Sequence, residues 1–403
     1  MKVAVIGGGA SGMVAALQAA WGGADVTLFE RNETVGKKLL VTGSGRCNIT
    51  NENVNAAAYA CADTLWMETL ISSFGVVELK TMLLEAGIPV RATLDGWYYP
   101  LSESAHTVVD ALAGALRLAG VTTVTNTLVL SIKRGGGFTL RCRQGETEEK
   151  YTFDRVIVST GGKSYPSLGS RGELFPVLES LGHTVLPLRP ALAPVQAVLA
   201  KLKFLQGMRF DVNASVYEGK KKLAASRGNV IFTEWGLNGP AVMNISHEIS
   251  ARPEGALELS LDFLAFFREE FESLLVKKRN SGQLLGVFME AFFPPKAAAG
   301  FIRNAGLSTG TPLDQVNDTA LNRLTANLCD TRLEVTGVRG FEYCQVTAGG
   351  VPVTEVDSLT LQSKRVNGLY LTGETLDVVG PCGGYNLQFA FSSGALAGRA
   401  AAK

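Results

Sequence analysis

An α/β fold with a second, β-rich domain inserted into it is what this chain of 403 residues predicts, and three observations predict it. Residues 1–30 run strand, glycine turn, helix, strand, acid. Hydrophobic strands that end in glycine return at residues 154–160, 346–351 and 366–374. Between them, residues 187–342 change to short strands and then to helices.

Residues 1–6 (M-K-V-A-V-I) read as a buried parallel strand, residues 13–21 as an Ala- and Leu-rich helix, and residues 24–29 as a second strand that ends on Glu30. Gly7, Gly9 and Gly12 join the first strand to the helix. Their jobs are a tight turn, a close backbone approach to a pyrophosphate, and close helix–strand packing. The helix N-terminus, with Ala10 and Ser11 in its first turn, offers N–H groups and partial positive charge to phosphates. Glu30 can accept hydrogen bonds from both ribose hydroxyls of an adenosine, and its charge repels a 2′-phosphate. The tightly held nucleotide is therefore expected to be FAD or NAD rather than NADP. No other strand-bound fingerprint of this kind occurs, so a second resident dinucleotide is not expected.

Next, residues 36–51 begin as a short helix and end in a glycine-rich polar loop that suits the neighbourhood of a cofactor. Residues 63–86 read as one or two amphipathic helices broken near Gly75, residues 96–100 as an aromatic extended segment, and residues 105–119 as a helix. Residues 122–133, 138–143 and 150–153 read as antiparallel strands. Residues 154–160 return as a parallel strand that delivers Gly161 and Gly162 to its carboxyl end, where ligands bind in open parallel sheets. Three prolines in residues 186–194 mark a domain boundary. Strands are expected near 193–200, 210–217, 220–225, 230–233, 257–262 and 333–338, with helices over 263–327 whose phenylalanines form core. The chain closes with a glycine-rich turn, 380–388, and an Ala-rich helix. The expected domains are 1–186 with 343–403, a small barrel of 187–262 with 328–342, and a helical domain of 263–327.

Composition narrows the function. The 38 basic and 37 acidic residues leave a net charge of +1, which gives no footprint for nucleic acid or an anionic membrane. The basic runs 220–222 and 277–279 read as solvated faces. Six scattered cysteines contain no C-x-x-C, and the three histidines lie far apart, so no metal site is indicated. The uncharged stretch 3–24 is broken by three glycines and is no signal peptide. A cytoplasmic protein acting on a small molecule, as a monomer or homodimer and without nucleic acid or membrane partners, is the expectation.

The order of the motifs resembles a known family. Gly7–Gly12, Gly43-Ser44-Gly45-Arg46-Cys47-Asn48-Ile49-Thr50-Asn51, Gly161-Gly162-Lys163-Ser164-Tyr165-Pro166, the segment from Phe232 to Ala241, Thr347-Ala348-Gly349-Gly350-Val351 and the segment from Gly373 to Gln388 occur as in BaiN-like flavoproteins. These are NAD(P)/FAD-dependent oxidoreductases, also called aminoacetone oxidase family proteins. The resemblance covers essentially the whole chain. It implies a glutathione-reductase-type, Rossmann-like FAD domain with inserted β-barrel and helical domains. It also implies FAD contacts at Gly7, Gly9, Ala10, Ser11, Gly12, Glu30, Arg46, Asn48, Gly161, Gly373, Glu374, Tyr385, Asn386 and Leu387. Arg31, Lys38, Gly45, Gly162 and Gly384 flank these and complete the candidate cofactor-binding set. Residues 169–174 (G-S-R-G-E-L) stand here where the family has a Gly-Asp-Gly turn.

The expected function is hydride transfer from NAD(P)H, a transient donor, through noncovalent FAD to a small organic acceptor; one branch of the family reduces conjugated carbon–carbon bonds. Donor and substrate are expected to alternate in one cleft between the FAD domain and the insert, lined by Arg46, Cys47, Tyr165 and the loop 232–240. No catalytic residue is singled out. The alternatives are a flavoprotein that acts on RNA, as tRNA-modifying relatives do, and an FAD-binding protein without turnover. Because no His or Cys stands in a context that demands a flavin link, acid precipitation of the purified protein is expected to release yellow FAD into the supernatant. Colour kept in the pellet would contradict this.

Overall fold

The computed structural model describes the whole chain, Met1–Lys403. It forms two compact units, Met1–Pro190 with Phe341–Lys403, and Ala191–Gly340.

The first unit is built on a five-stranded sheet in the order Leu369–Leu371, Arg155–Val158, Lys2–Ile6, Asp25–Phe29, Thr122–Val124. Every pairing is parallel, so all five strands end on one edge. The strand Lys2–Ile6 lies at the centre and is buried from Val3 to Ile6. Chain order reverses there, since its two neighbours come from opposite directions in the sheet. Such a switch point opens a crevice at the carboxyl edge.

Above the sheet, the first helix, Ala10–Trp21, packs along the last, Tyr385–Ala401. Only glycine permits this approach. A Cβ at Gly394 would lie 2.3 Å from the Ser11 carbonyl oxygen, and one at Gly398 2.3 Å from that of Ala15. The helices Thr64–Ser73 and Val76–Glu85 divide at Phe74 and Gly75, where the sequence breaks the pattern.

Residues 122–133, expected as one strand, are two. Thr122–Val124 joins the parallel sheet, while Thr127–Arg134 starts an antiparallel meander with Phe138–Gln144 and Thr147–Phe153. The break is Asn126, held at φ 54° and donating its N–H to the Asn32 carbonyl. Asn tolerates this left-handed conformation better than a β-branched residue does. The proline-rich stretch contains a strand, Leu186–Ala191, paired with Val346–Gly350.

The second unit is a closed six-stranded barrel in the order Val195–Ala197, Gly236–Asn238, Lys221–Phe232, Arg209–Glu218, Leu257–Asp262, Thr331–Val338. The two strands expected at 220–225 and 230–233 are one, because Ser226 to Asn229 stay extended against Arg209–Glu218. The short strand Gly236–Asn238 was expected as loop; its Gly and Asn carry no strand signal. The helices Arg268–Lys278, Leu285–Glu290, Pro295–Asn304 and Asp318–Cys329 share the barrel's hydrophobic core. Phe263 of the barrel side meets Phe301 of a helix with ring centres 5.0 Å apart.

A buried polar cluster ties the first unit's surface loops. His183 Nδ1 lies 2.8 Å from a Glu355 oxygen, and His183 Nε2 lies 2.8 Å from Ser363 Oγ. Ser363 Oγ already accepts the N–H groups of Arg365 and Val366, so its own proton goes to Nε2. His183 is thus neutral, with its proton on Nδ1 donated to Glu355. Burial holds the His183 pKa below its ordinary 6.5, against the pull of Glu355. Burial raises Glu355, but hydrogen bonds from Thr184, His183 and Arg365 outweigh it and leave it below its ordinary 4.5. Both folded values are depressed, so the unfolded chain binds more protons as pH falls, and stability drops. The His183 contribution is present above about pH 6.5 and lost below it, and the Glu355 contribution follows below about 4.5. The melting temperature is therefore expected to fall between pH 7 and 5.5 and to flatten in that interval in His183→Gln. An equal slope in the variant would remove His183 from the account.

Candidate functional site

The carboxyl edge of the parallel sheet gathers most of the residues singled out from sequence. The strand Lys2–Ile6 delivers Gly7, whose N–H donates to the Phe29 carbonyl at 2.8 Å. At Gly12 a Cβ would lie 1.8 Å from the Gly7 carbonyl oxygen, so the helix starts pressed against the turn. A Cβ at Gly9, by contrast, would meet nothing within 4 Å. That side of the turn is open, and the first helix begins there with no side-chain cap. Its first N–H groups have no partner four residues back, so the opening suits an anion. Gly161 and Gly162 follow the strand Arg155–Val158, and Gly373 and Glu374 follow Leu369–Leu371, on the same edge.

Glu30 is buried at the end of the second strand. One oxygen accepts the Gly8 N–H at 2.7 Å, and the other accepts the Asn32 backbone N–H and side-chain amide, each at 2.8 Å. A carboxylate offers about four acceptor positions. Three are used within the protein, which leaves one for a ribose hydroxyl rather than the two expected from sequence.

Lys38 and Glu374, both expected to touch a cofactor, are paired with each other. The Lys38 ammonium also donates to Ser164 Oγ at 2.5 Å. The second Glu374 oxygen accepts Ser164 Oγ at 3.1 Å and the Thr347 N–H at 3.2 Å. Thr347 Oγ1 in turn accepts the N–H groups of Lys163 and Ser164, and it occupies the space a Cβ on Gly162 would need.

The polar loop turns sharply, with Gly43, Ser44, Gly45 and Cys47 all at positive φ. It leads into the strand Thr50–Asn51, which pairs with Trp97–Pro100. Asn48 is 7 % exposed, and its side-chain oxygen is buried without a hydrogen-bond partner. An orphaned buried acceptor costs about 1–3 kcal/mol, so a donor is expected to meet it. Arg46 is exposed and lies over the Tyr99 ring, 4.8 Å from its centre. Thr50 Oγ1 donates to Gln388, and the Asn51 amide donates to the Gly383 carbonyl. These bonds fix the loop to the start of the last helix. Gly384 caps that helix at φ 97°, and a Cβ there would sit 2.5 Å from the Thr50 carbonyl. No side chain caps the helix, so the N–H groups of Tyr385, Asn386 and Leu387 form a second positive opening.

The side chains of other expected residues have partners within the protein. Arg31 pairs with Glu173 at the rim. Asn386 clasps its own turn, bonding the Gly380 N–H and carbonyl at 2.8 Å each. Tyr385 donates to the Asn53 carbonyl. Cys47 is fully buried and burial pushes its thiol up to about 12, so it is protonated at neutral pH and is a packing residue. Phe232, expected in a cleft lining, is stacked on Phe263 inside the barrel. Tyr165 is held at φ 55°, with burial raising its phenol. Ser164 and Thr347 lie in the motifs quoted above but were not among the candidate site residues, and Asn32 was in neither group. Only the position of Asn32, two residues after the acid, hinted at its contact.

The residues fit FAD. The open side of Gly9 and the uncapped first helix suit a pyrophosphate, Glu30 suits a ribose, and the Asn48 oxygen needs an N–H donor, which an isoalloxazine carries. Comparison with known proteins agrees. The model of the HI0933-like protein Rossmann domain matches residues 1–400. The 3-dehydro-bile acid delta(4,6)-reductase of Clostridium scindens is 35% identical over 414 aligned positions, covering 100% of this chain and 99% of that protein. The ribosomal RNA dihydrouridine synthase of Escherichia coli is 31% identical, covering 96% and 95%. Among solved structures, a 3-ketosteroid-delta4-(5alpha)-dehydrogenase from Rhodococcus jostii shares the fold, with a TM-score of 0.53, 14% identity, and coverage of 100% and 96%. The family and its relatives define an FAD-dependent oxidoreductase. Within that class the chain belongs to the HI0933-like Rossmann-domain family. No helix is long and apolar enough to cross a membrane.

Glu30→Ala removes the carboxylate whose open acceptor position suits a ribose hydroxyl, and it frees the Gly8 N–H and Asn32. One charge-assisted bond is worth about 1.5–3 kcal/mol, so FAD affinity is expected to fall roughly 10- to 150-fold. Fluorescence titration of the apoprotein measures it. An unchanged dissociation constant would show that Glu30 does not hold the nucleotide.

Proposed function

We propose that this protein reduces a carbon–carbon double bond conjugated to a carbonyl in a small organic molecule, with NAD(P)H as the electron source. The observation that carries this reading is identity along the whole chain to a relative named as a delta(4,6)-reductase of a 3-dehydro bile acid. In such a substrate the double bonds are conjugated to the C3 ketone. When bound, FAD supplies two-electron hydride chemistry between nicotinamide and acceptor. The chain's own residues hold and orient it. The first helix and Gly9 receive the pyrophosphate, Glu30 and the Asn32 beside it the adenosine ribose, and Asn48 with the start of the last helix the isoalloxazine. Noncovalent binding is supported by the buried, protonated Cys47.

A second reading rests on the Escherichia coli relative, which is named for dihydrouridine in ribosomal RNA. Its acceptor is a uracil double bond, also conjugated to a carbonyl, so the two readings share their chemistry and differ in the substrate's size and charge. The balance of 38 basic and 37 acidic residues supports the small-molecule reading.

The test offers NADH or NADPH with either a 3-oxo-Δ4,6 steroid acid or an unmodified ribosomal RNA transcript. Reduction of the steroid, with parallel double-reciprocal lines for donor against acceptor, is expected. Reduction of the RNA alone would establish the second reading. Reduction of neither, with flavin that nicotinamide does not bleach, would overturn the proposal.

A further inference from the structure

The sheet order places Glu30 and Glu374 on opposite sides of the central strand. Glu30 ends the strand on one side, and Glu374 follows the strand two places away on the other. At about 4.8 Å per strand the two lie roughly 14 Å apart across the crevice. A dinucleotide with its adenosine ribose at Glu30 and its pyrophosphate at the first helix has its flavin half on the Glu374 side. Gly373 confirms that this segment meets the helix start, since a Cβ there would lie 2.8 Å from Ser11 Oγ.

Lys38 belongs by chain to the Glu30 side. The Gly36 N–H donates to the Gly8 carbonyl at 2.8 Å, which fixes this segment beside the turn. Its ammonium nevertheless ends at Glu374 and Ser164, on the far side. The side chain therefore reaches from beside the turn after the central strand toward the Glu374 side. The pair is 23 and 20 % exposed, so water screens it less than a surface pair. Glu374 has partners at both oxygens, whereas the Lys38 ammonium has three donors and two named partners.

We propose that Lys38 and Glu374 set the charge felt by the bound flavin: the Lys38 cation favours its two-electron reduced form, and Glu374 opposes it while holding Lys38 in place. Both are positioning residues. The proposal rests on the FAD assignment above. Two outcomes follow that a mere strut between loops would not give. Removing the cation lowers the reduction potential of the flavin, and removing the anion raises it.

The experiment measures the midpoint potential of the holoprotein by dye equilibration at saturating FAD, for the wild type, Lys38→Met, Lys38→Arg and Glu374→Gln. Lys38→Met is expected to weaken reduced against oxidised FAD at least tenfold, about 30 mV for two electrons. Glu374→Gln is expected to shift the ratio at least tenfold the other way, and Lys38→Arg to stay within threefold. Shifts of the same sign in Lys38→Met and Glu374→Gln, or changes under threefold in both, would overturn the proposal. Should Lys38→Met not fold, Glu374→Gln decides alone: a raised potential supports the proposal, and an unchanged or lowered one overturns it. A wild-type protein that binds no FAD would instead overturn the cofactor assignment itself.

Discussion

The contact on which the rest depends is the backbone-to-backbone packing of the first helix. Gly12 lets the helix press on the turn before it, and Gly394 and Gly398 let the last helix press on its Ser11 and Ala15 carbonyls. A methyl group at any of the three overlaps a backbone oxygen, and backbone does not move aside as a flexible side chain does. The helix is thereby fixed between the sheet edge and the last helix. Its uncapped N-terminus is held where the five parallel strands end.

From that placement the site follows. Parallel strands bring Gly7, Glu30, Gly161 and Gly373 to one edge, although they are far apart in the chain. Most polar groups there are satisfied by one another: Glu30 by Gly8 and Asn32, and Glu374 by Lys38, Ser164 and Thr347. What is left for a ligand is small and specific: two helix N-termini, one acceptor position on Glu30, the Asn48 oxygen and one donor of the Lys38 ammonium. A preorganised site of this kind needs little side-chain ordering when it binds.

Much of this was legible in sequence where local pattern carries the information. The first strand, helix, second strand and acid are contiguous, and each is marked by its own periodicity or glycine. The sheet-edge residues were legible for the same reason. The Lys38–Ser164–Thr347–Glu374 cluster was not, because its end members are separated by 336 residues and nothing local encodes a partner at that distance. The break at Asn126 and the strand Gly236–Asn238 were missed because tertiary pairing overrode weak propensity. The bonds of the Asn386 side chain to its own turn were not legible either, because they depend on loop closure rather than on residue type.

The carboxyl edge is proposed to read a whole dinucleotide, adenosine half included, and not only a flavin. Calorimetric titration of the apoprotein with FAD and with FMN tests it most directly. FMN keeps the isoalloxazine but lacks the adenosine half that Glu30 and the first helix are proposed to hold. The account predicts one FAD per chain and FMN binding at least 100-fold weaker. FMN bound as tightly as FAD would contradict it.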